Sequence, residues 1–398
     1  MLDIAKKVIL NSRLFIFLAF FVFFKPLSFY YYDFLNKICN ILMLVLIGII
    51  DILYIKQCIK NKKISKIQIY IMSYVLILLL STIMGTKDFN FFIKVYMKWI
   101  SISFYTEMLI KNNLNLYLKT FSNFIFSITV INFFSIIIFP NGVIQPNGVS
   151  IYFLGNDNTS TINLVLGALF ILLKDYYLYR RMTPISIIDI IMVTVSYIIT
   201  WSATGLVGVA IMLLFILCLY KKNKLNKIFN AKTYLIIAIF AFIAIVIFRL
   251  QNYFEYIIVG VLKKDLTFSQ RTFIWDNCLN YIQKKPIFGL GVQEFSARLE
   301  KIGIYHAHCT LLNVLLEGGV LGLIFYLNIF VQIIKRLNKY KSSEICNILS
   351  IGICIYFICG IVEVFQDSQM LYIFIVLSYY IKYFMSERIG GNNKWKKY

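Results

Sequence analysis

The sequence predicts an all-α, polytopic integral membrane protein of about twelve transmembrane helices. Three observations predict it. Sixty per cent of the 398 residues are hydrophobic, where a soluble domain carries roughly 45–50%. Apolar stretches of about 18 residues or more, with few charges, follow one another almost end to end. The lysines gather in short clusters between those stretches. With five prolines and no Ser/Pro-rich linker, residues 1–398 read as a single integral membrane domain.

The elements follow in order. The start, MLDIAKKVILNSRLFIF, has a charged lead but no small-x-small cleavage site, so it reads as an uncleaved first span over 8–24. Further spans are expected at 34–55, 67–84, 91–110, 117–139, 159–174, 184–201, 203–220, 233–249, 309–334, 344–365 and 369–385. The apolar run 184–220 breaks at WSATG (201–205), a tight turn. Connections at 56–66, 111–116, 174–183, 221–232 and 335–343 are basic, and those at 85–90, 140–158, 201–205 and 366–368 are nearly charge-free or mixed. A cytoplasmic N-terminus puts every basic connection inside, and the basic C-terminal SERIGGNNKWKKY with them. Both termini are therefore expected in the cytoplasm.

The net charge of +22 does not imply nucleic acid, which needs one contiguous basic face; clusters such as KQCIKNKKISK (56–66), KKNKLNK (221–227) and KRLNKYK (335–341) are positive-inside loops. The eight cysteines show no metal spacing. Most act as small hydrophobes, and Cys278 and Cys309 are expected reduced.

Two outer segments stand out. PNGVIQPNGVSIYFLGNDN (140–158) is rich in turn formers. Residues 250–308 form one large extracytoplasmic loop, with aromatic residues such as Phe254, Phe268, Phe273, Trp275, Tyr281 and Tyr305 to fold on. Within it, apolar residues at 274, 275, 278, 279 and 282 make one stripe on a short helix lying in the membrane interface.

The residues able to carry chemistry lie in and just after this loop. Only two histidines occur, His306 and His308. A histidine titrates near neutrality and can take a proton from a hydroxyl. His308 stands where the loop re-enters apolar sequence, with Glu317 following inside the span. An intramembrane carboxylate is a functional candidate by default, although His308 can equally cap a helix and Glu317 pair with a basic neighbour. Arg249, Arg271 and Arg298 are the outer arginines, and arginine binds phosphate through a planar fork of donors. The loop lysines, Lys263, Lys264, Lys284, Lys285 and Lys301, are nearly balanced by Asp265, Asp276, Glu294 and Glu300, as on a solvated surface. Lys94 and Lys98 either snorkel or hold a lipid phosphate. PIFGLGVQEF (286–295) is a turn, too short for a nucleotide fingerprint. There is no Walker lysine motif, HExxH, GxSxG or Asp-x-Asp pair, so neither a metal nor another cofactor is expected.

RTFIWDNCLNYIQKKPIFGLGVQEF followed by HAHCTLLNVLLEGGVLGLIFY resembles the O-antigen ligase and polymerase family, the Wzy-like membrane glycosyltransferases. The pattern falls on Arg271, Trp275, Pro286, Gly289, Gly291, His308, Glu317, Gly319 and Gly322, and GNDN (155–158) resembles the family's Asn-containing loop. The specific part covers about 50 residues. Two positions depart from it: no arginine follows Ser202 in WSATG, and Cys309 stands where Asn is usual. Arg249 could substitute for the missing arginine by location.

The resemblance implies a GT-C-like enzyme at the outer face of the bacterial cytoplasmic (inner) membrane. It implies a polysaccharide polymerase of capsule or O-antigen type, joining repeat units carried on a polyprenyl (undecaprenyl) pyrophosphate. His308 would be the base, Glu317 would orient the site, and Arg271, Arg249 and Arg298 would bind pyrophosphate. Chain-length regulators of the same pathway are implied partners. A ligase of the same family, or a flippase for the same lipid-linked sugars, are the alternatives. A flippase would show two related halves, which this sequence lacks.

Overall fold

The computed structural model describes residues 2–220, 230–250, 253, 255–261, 271–341 and 343–385. The basic cluster at 221–227, Phe254, Lys263, Lys264, Asp265, Phe268 and the C-terminal residues 386–398 lie outside the described residues. The described chain is helical, with one isolated bridge between Ile144 and Ile151. The helices are α1 (Leu2–Asn11), α2 (Arg13–Phe23), α3 (Asp33–Asn61), α4 (Lys66–Met84), α5 (Phe89–Ile138), α6 (Thr161–Tyr179), α7 (Pro184–Thr200) and α8 (Ala203–Tyr220). They continue with α9 (Ala231–Phe242), α10 (Arg271–Lys284), α11 (Phe295–Ile302), α12 (Thr310–Leu337), α13 (Glu344–Cys359) and α14 (Gln369–Tyr379).

Among the described residues five helices are long and apolar enough to cross a membrane: α3, α4, α5, α6, and α12 with the turn that follows it. The other apolar helices are shorter. The core is apolar as in a soluble bundle, but the outer surface is apolar as well. α6, α13 and α14 are buried nearly all round, while α2, α3, α7 and α8 expose Leu14, Phe34, Ile41, Ile191 and Leu214 outward. A ring of exposed apolar side chains this wide suits a hydrocarbon surround.

Helix boundaries correct the expected segmentation in two places. The first span divides at Ser12, whose hydroxyl accepts from Phe15 N at 3.3 Å and starts α2. The spans expected at 91–110 and 117–139 keep their division: they are two helices run together as α5, meeting at a kink at Asn113 (φ −159°, ψ 91°) inside the expected 111–116 connection. The connection lacks Gly and Pro, so the chain breaks for one residue only, and Asn113 Oδ1 caps the second half through Leu116 N at 2.9 Å. The helix expected to 365 ends at Cys359. Thr310 holds the chain beyond it: its N–H donates to Gly360 O at 2.7 Å, its hydroxyl donates to Glu363 O at 2.9 Å, and it accepts from Phe365 N at 3.0 Å.

The stripe on α10 forms as the spacing predicts, but it packs on protein. Trp275 and Cys278 are buried in a small cluster with Val246, Ile304, Leu312, Leu316 and Ile361. Tertiary packing on α12 offers that stripe a drier, better matched surface than the membrane interface would.

α12 is broken at Gly319 (φ 62°, ψ −162°), a region essentially restricted to glycine. The Pro286–Gly291 turn satisfies the freed backbone groups. Leu290 N donates to Leu316 O at 2.8 Å, Gly291 N to Glu317 O at 3.0 Å, and Val320 N to Pro286 O at 2.8 Å. The Ser81 hydroxyl lies between the carbonyls of Phe288 and Glu317, which ties the turn to α4. A broken helix is tolerated at membrane depth only where neighbouring groups re-satisfy its backbone, as they do here. A Cβ at Gly319 would fall on the Ile287 carbonyl and within 2.6 Å of Gly289 N. Gly319→Ala is therefore expected to destabilise the protein by at least about 1–3 kcal/mol from backbone strain alone. The check is thermal unfolding of the purified protein in detergent.

Candidate functional site

Two linked side-chain networks meet where α10, α11 and the 303–309 segment cover the start of α12. The inner one centres on Glu317, buried at the last turn before the helix break. Its Oε1 accepts from Arg298 Nη2 at 2.6 Å and Asn313 Nδ2 at 3.0 Å. Its Oε2 accepts from Tyr96 OH at 3.1 Å and Gln366 Nε2 at 2.7 Å. Arg298, only 1% exposed, donates a second bond to Asn313 Oδ1 at 2.9 Å. This carboxylate has four donors and the guanidinium two acceptors, so the pair is closed upon itself. The desolvation cost of burying each charge is offset by attraction to the other and by these hydrogen bonds.

The outer network holds the histidines. The His306 and His308 rings lie 3.8 Å apart between centroids. His308 adopts a left-handed backbone (φ 45°), and its N–H donates to His306 Nδ1 at 3.2 Å. His308 Nδ1 is buried, has no hydrogen-bond partner among the described residues and faces Glu363 Oε1 at 3.7 Å. Arg271 Nη2 approaches the other oxygen of the same carboxylate at 3.4 Å. Local sequence explains the meeting: in HAHCT the two histidines precede Thr310, and Thr310 pins the segment carrying Glu363. Strain at His308 is of the kind that collects at functional sites.

Both imidazoles are held neutral. Burial, then the charges of Arg298 and Arg271, lowers His306 to about 4. Burial, then His306 and Arg271, lowers His308 to about 3. Arg271 thus sets a positive charge beside the neutral imidazoles, an arrangement able to take an anion next to a proton acceptor.

The structure therefore brings Arg271 and His308 together, and Arg298 with Glu317. Arg249 stands aside, donating to Thr272 O at 3.1 Å and Asp276 Oδ1 at 2.6 Å over the Trp275 ring. Lys94 is exposed, whereas Lys98 lies within electrostatic range of Asp367. The GNDN segment reaches the same rim: Asn158 Oδ1 accepts from Ser202 Oγ at 3.0 Å, joining it to the 201–205 turn. Cys278 and Cys309 are buried and free, and burial pushes the Cys278 thiol up to about 12.

Glu363 was missed from the sequence. A carboxylate in an apolar run is itself a signal, but GIVEVF was absorbed into a span. Asn313, Gln366 and Tyr96 gave no signal, because neutral polar residues in helices are common.

His306, His308 and Glu363 each offer a ligand atom, all within 4.8 Å of one another, which is spacing a metal ion could use. The Arg271 guanidinium shares that carboxylate and opposes a second cation there.

Residues 187–327 match the model of the Wzy_C family, described as O-antigen ligase. The match runs from α7 into α12 and contains Arg249, Arg271, Arg298, both histidines and Glu317. Tyr96, Glu363 and Gln366 come from outside it. No curated protein matches the chain.

Proposed function

We propose, from the premise that residues 187–327 form an O-antigen ligase-type segment, that the protein is a polysaccharide polymerase. It acts on polyprenyl-pyrophosphate-linked repeat units at the outer face of the cytoplasmic membrane. About twelve segments cross that membrane with both termini inside. The observation that supports this reading is the pairing of a neutral His308 with Glu363 and Arg271 in one cluster.

The chemistry is displacement at an anomeric carbon. The acceptor hydroxyl oxygen forms the new bond to that carbon as the bond to the pyrophosphate oxygen breaks. The hydroxyl proton passes to His308 Nε2, and the polyprenyl diphosphate leaves with the bonding pair. Nδ1 then carries its proton toward Glu363, and this 3.7 Å contact shortens as the imidazolium forms, since catalytic hydrogen bonds tighten toward the transition state. Arg271 binds the leaving diphosphate, whose growing charge a fixed guanidinium stabilises. Glu317 and Arg298 hold the floor of the site. The donor is already activated, so neither a nucleotide nor a metal is needed, and the positive field around Arg271 disfavours a metal at the histidines.

The experiment is polymer synthesis by cells and by purified protein carrying Arg271→Ala or Arg271→Lys. Loss of polymer with protein still made is expected for both, because lysine offers a point charge in place of a planar fork. Normal chain lengths in either variant overturn the assignment. A chelator is expected to leave the purified enzyme active.

The family description itself favours one second reading, a ligase that moves finished chains to another acceptor. Deletion of the protein separates the two. Single lipid-linked repeat units accumulate if a polymerase is lost, and long unattached chains if a ligase is lost.

A further inference from the structure

At the opposite end of the bundle, where the basic connections gather, α1, α3 and α5 enclose a cavity of about 260 Å³. Its wall carries four lysines, Lys6, Lys56, Lys60 and Lys111, together with Asn61 and Asn112. The α5 kink at Asn113 opens it, and Asn112 fastens the rim by donating to Leu10 O at 3.2 Å and Asn11 Oδ1 at 2.9 Å.

The lysines are under-compensated. Lys111 pairs with Glu107 one turn away. That carboxylate also accepts from Tyr54 at 3.2 Å, Ser65 at 2.6 Å and Gln68 at 2.9 Å, so it has little left for the others. Among the described residues the ammonium groups of Lys56 and Lys60 have no ion-pair partner, and they stand one turn apart on α3, a spacing at which like charges repel. On the opposite face of the same helix end lies an apolar cleft of about 400 Å³, lined by Ile55, Ile59, Met72 and Phe104 and rimmed by Lys62 and Lys63. Apolar cleft and lysine pocket at one level describe the boundary between acyl chains and headgroups.

We propose that this pocket binds the phosphate headgroup of an anionic phospholipid of the inner leaflet. Basic pockets between helices on that side of a membrane bind such headgroups. The phosphate would sit between Lys56 and Lys60, relieving their repulsion, with Asn61 donating to its oxygens while Asn112 holds the rim. The site is independent of the outer-face chemistry.

The test uses the full-length protein in detergent, titrated with phosphatidylglycerol, phosphatidylcholine or inorganic phosphate, with thermal unfolding and native mass spectrometry as readouts. Phosphatidylglycerol is expected to raise the unfolding temperature saturably, with few lipids retained. Lys56→Ala/Lys60→Ala should weaken half-saturation about thirtyfold, the effect of two lysines near an anionic headgroup. Lys301→Ala, which removes a charge from exposed α11, should leave it unchanged. Three results overturn the proposal: equal stabilisation by phosphatidylcholine, full stabilisation of the double variant, or the same shift from inorganic phosphate alone, which would make the pocket a soluble-anion site. If the double variant does not fold, Lys56→Gln and Lys60→Gln singly replace it, each with a smaller loss expected.

Discussion

His308→Ala is expected to lower turnover by about 10²–10⁴-fold, the usual contribution of a general base, with the protein still made and folded. Only a side chain at 28% exposure is removed, so the packing cost is small. The pH dependence carries the sharper test. A base works when deprotonated, and His308 is lowered from 6.5 to about 3. The acid limb of kcat/KM in the wild type should therefore lie well below 6.5, with no loss on going from pH 7.5 to 6. His306 and Arg271 are causes of that lowering after burial itself. His306→Gln should move the acid limb upward, toward neutrality, while turnover falls modestly. A wild-type limb near 6.5 that His306→Gln leaves in place would remove His308 from the role of base.

Arg298→Ala is expected to destabilise the folded protein by about 3–5 kcal/mol, as when one partner of a buried pair is removed. The change would strand Glu317 at 4% exposure with its strongest donor gone. Glu317→Gln keeps the shape and should cost less, and the double variant should cost less than the sum, since the two residues act as a unit. Thermal unfolding of the four proteins in detergent measures this cycle. Additive costs would mean that the pair does not organise the site. The prediction also separates two kinds of arginine. Arg298 variants fail by losing folded protein, whereas Arg271 variants fail by losing product from folded protein.

Much of this was legible in the residues. The Pro286, Gly289 and Gly291 set announced a turn, whose positive φ values at the two glycines have few other occupants; the break at Gly319 was not announced, because 309–334 reads as one apolar span. The α10 stripe was visible as a period of three to four residues. Its partner was not: the same apolar face suits a membrane interface or a neighbouring helix, and only packing against α12 chose between them. The division at Asn113 was legible as a basic connection, but its form, a one-residue kink in place of a loop, was not. Arg249, Arg271 and Arg298 looked alike in the sequence. Their three fates, stacked on Trp275, set against Glu363, and locked to Glu317, depend on residues 19 to 92 positions away that folding brings in.

The sequence by itself determined the apolar helices, the basic connections between them and the neighbourhood of the reactive residues, because hydrophobic length and charge clusters act locally along the chain. The tertiary structure alone decided which carboxylate meets which cation. Glu363 reaches His308 and Arg271, and Glu317 reaches Arg298, because Thr310 and the broken α12 bring distant backbone into register. Ionic and hydrogen-bond partners are selected by distances of a few ångströms, and no linear pattern encodes those.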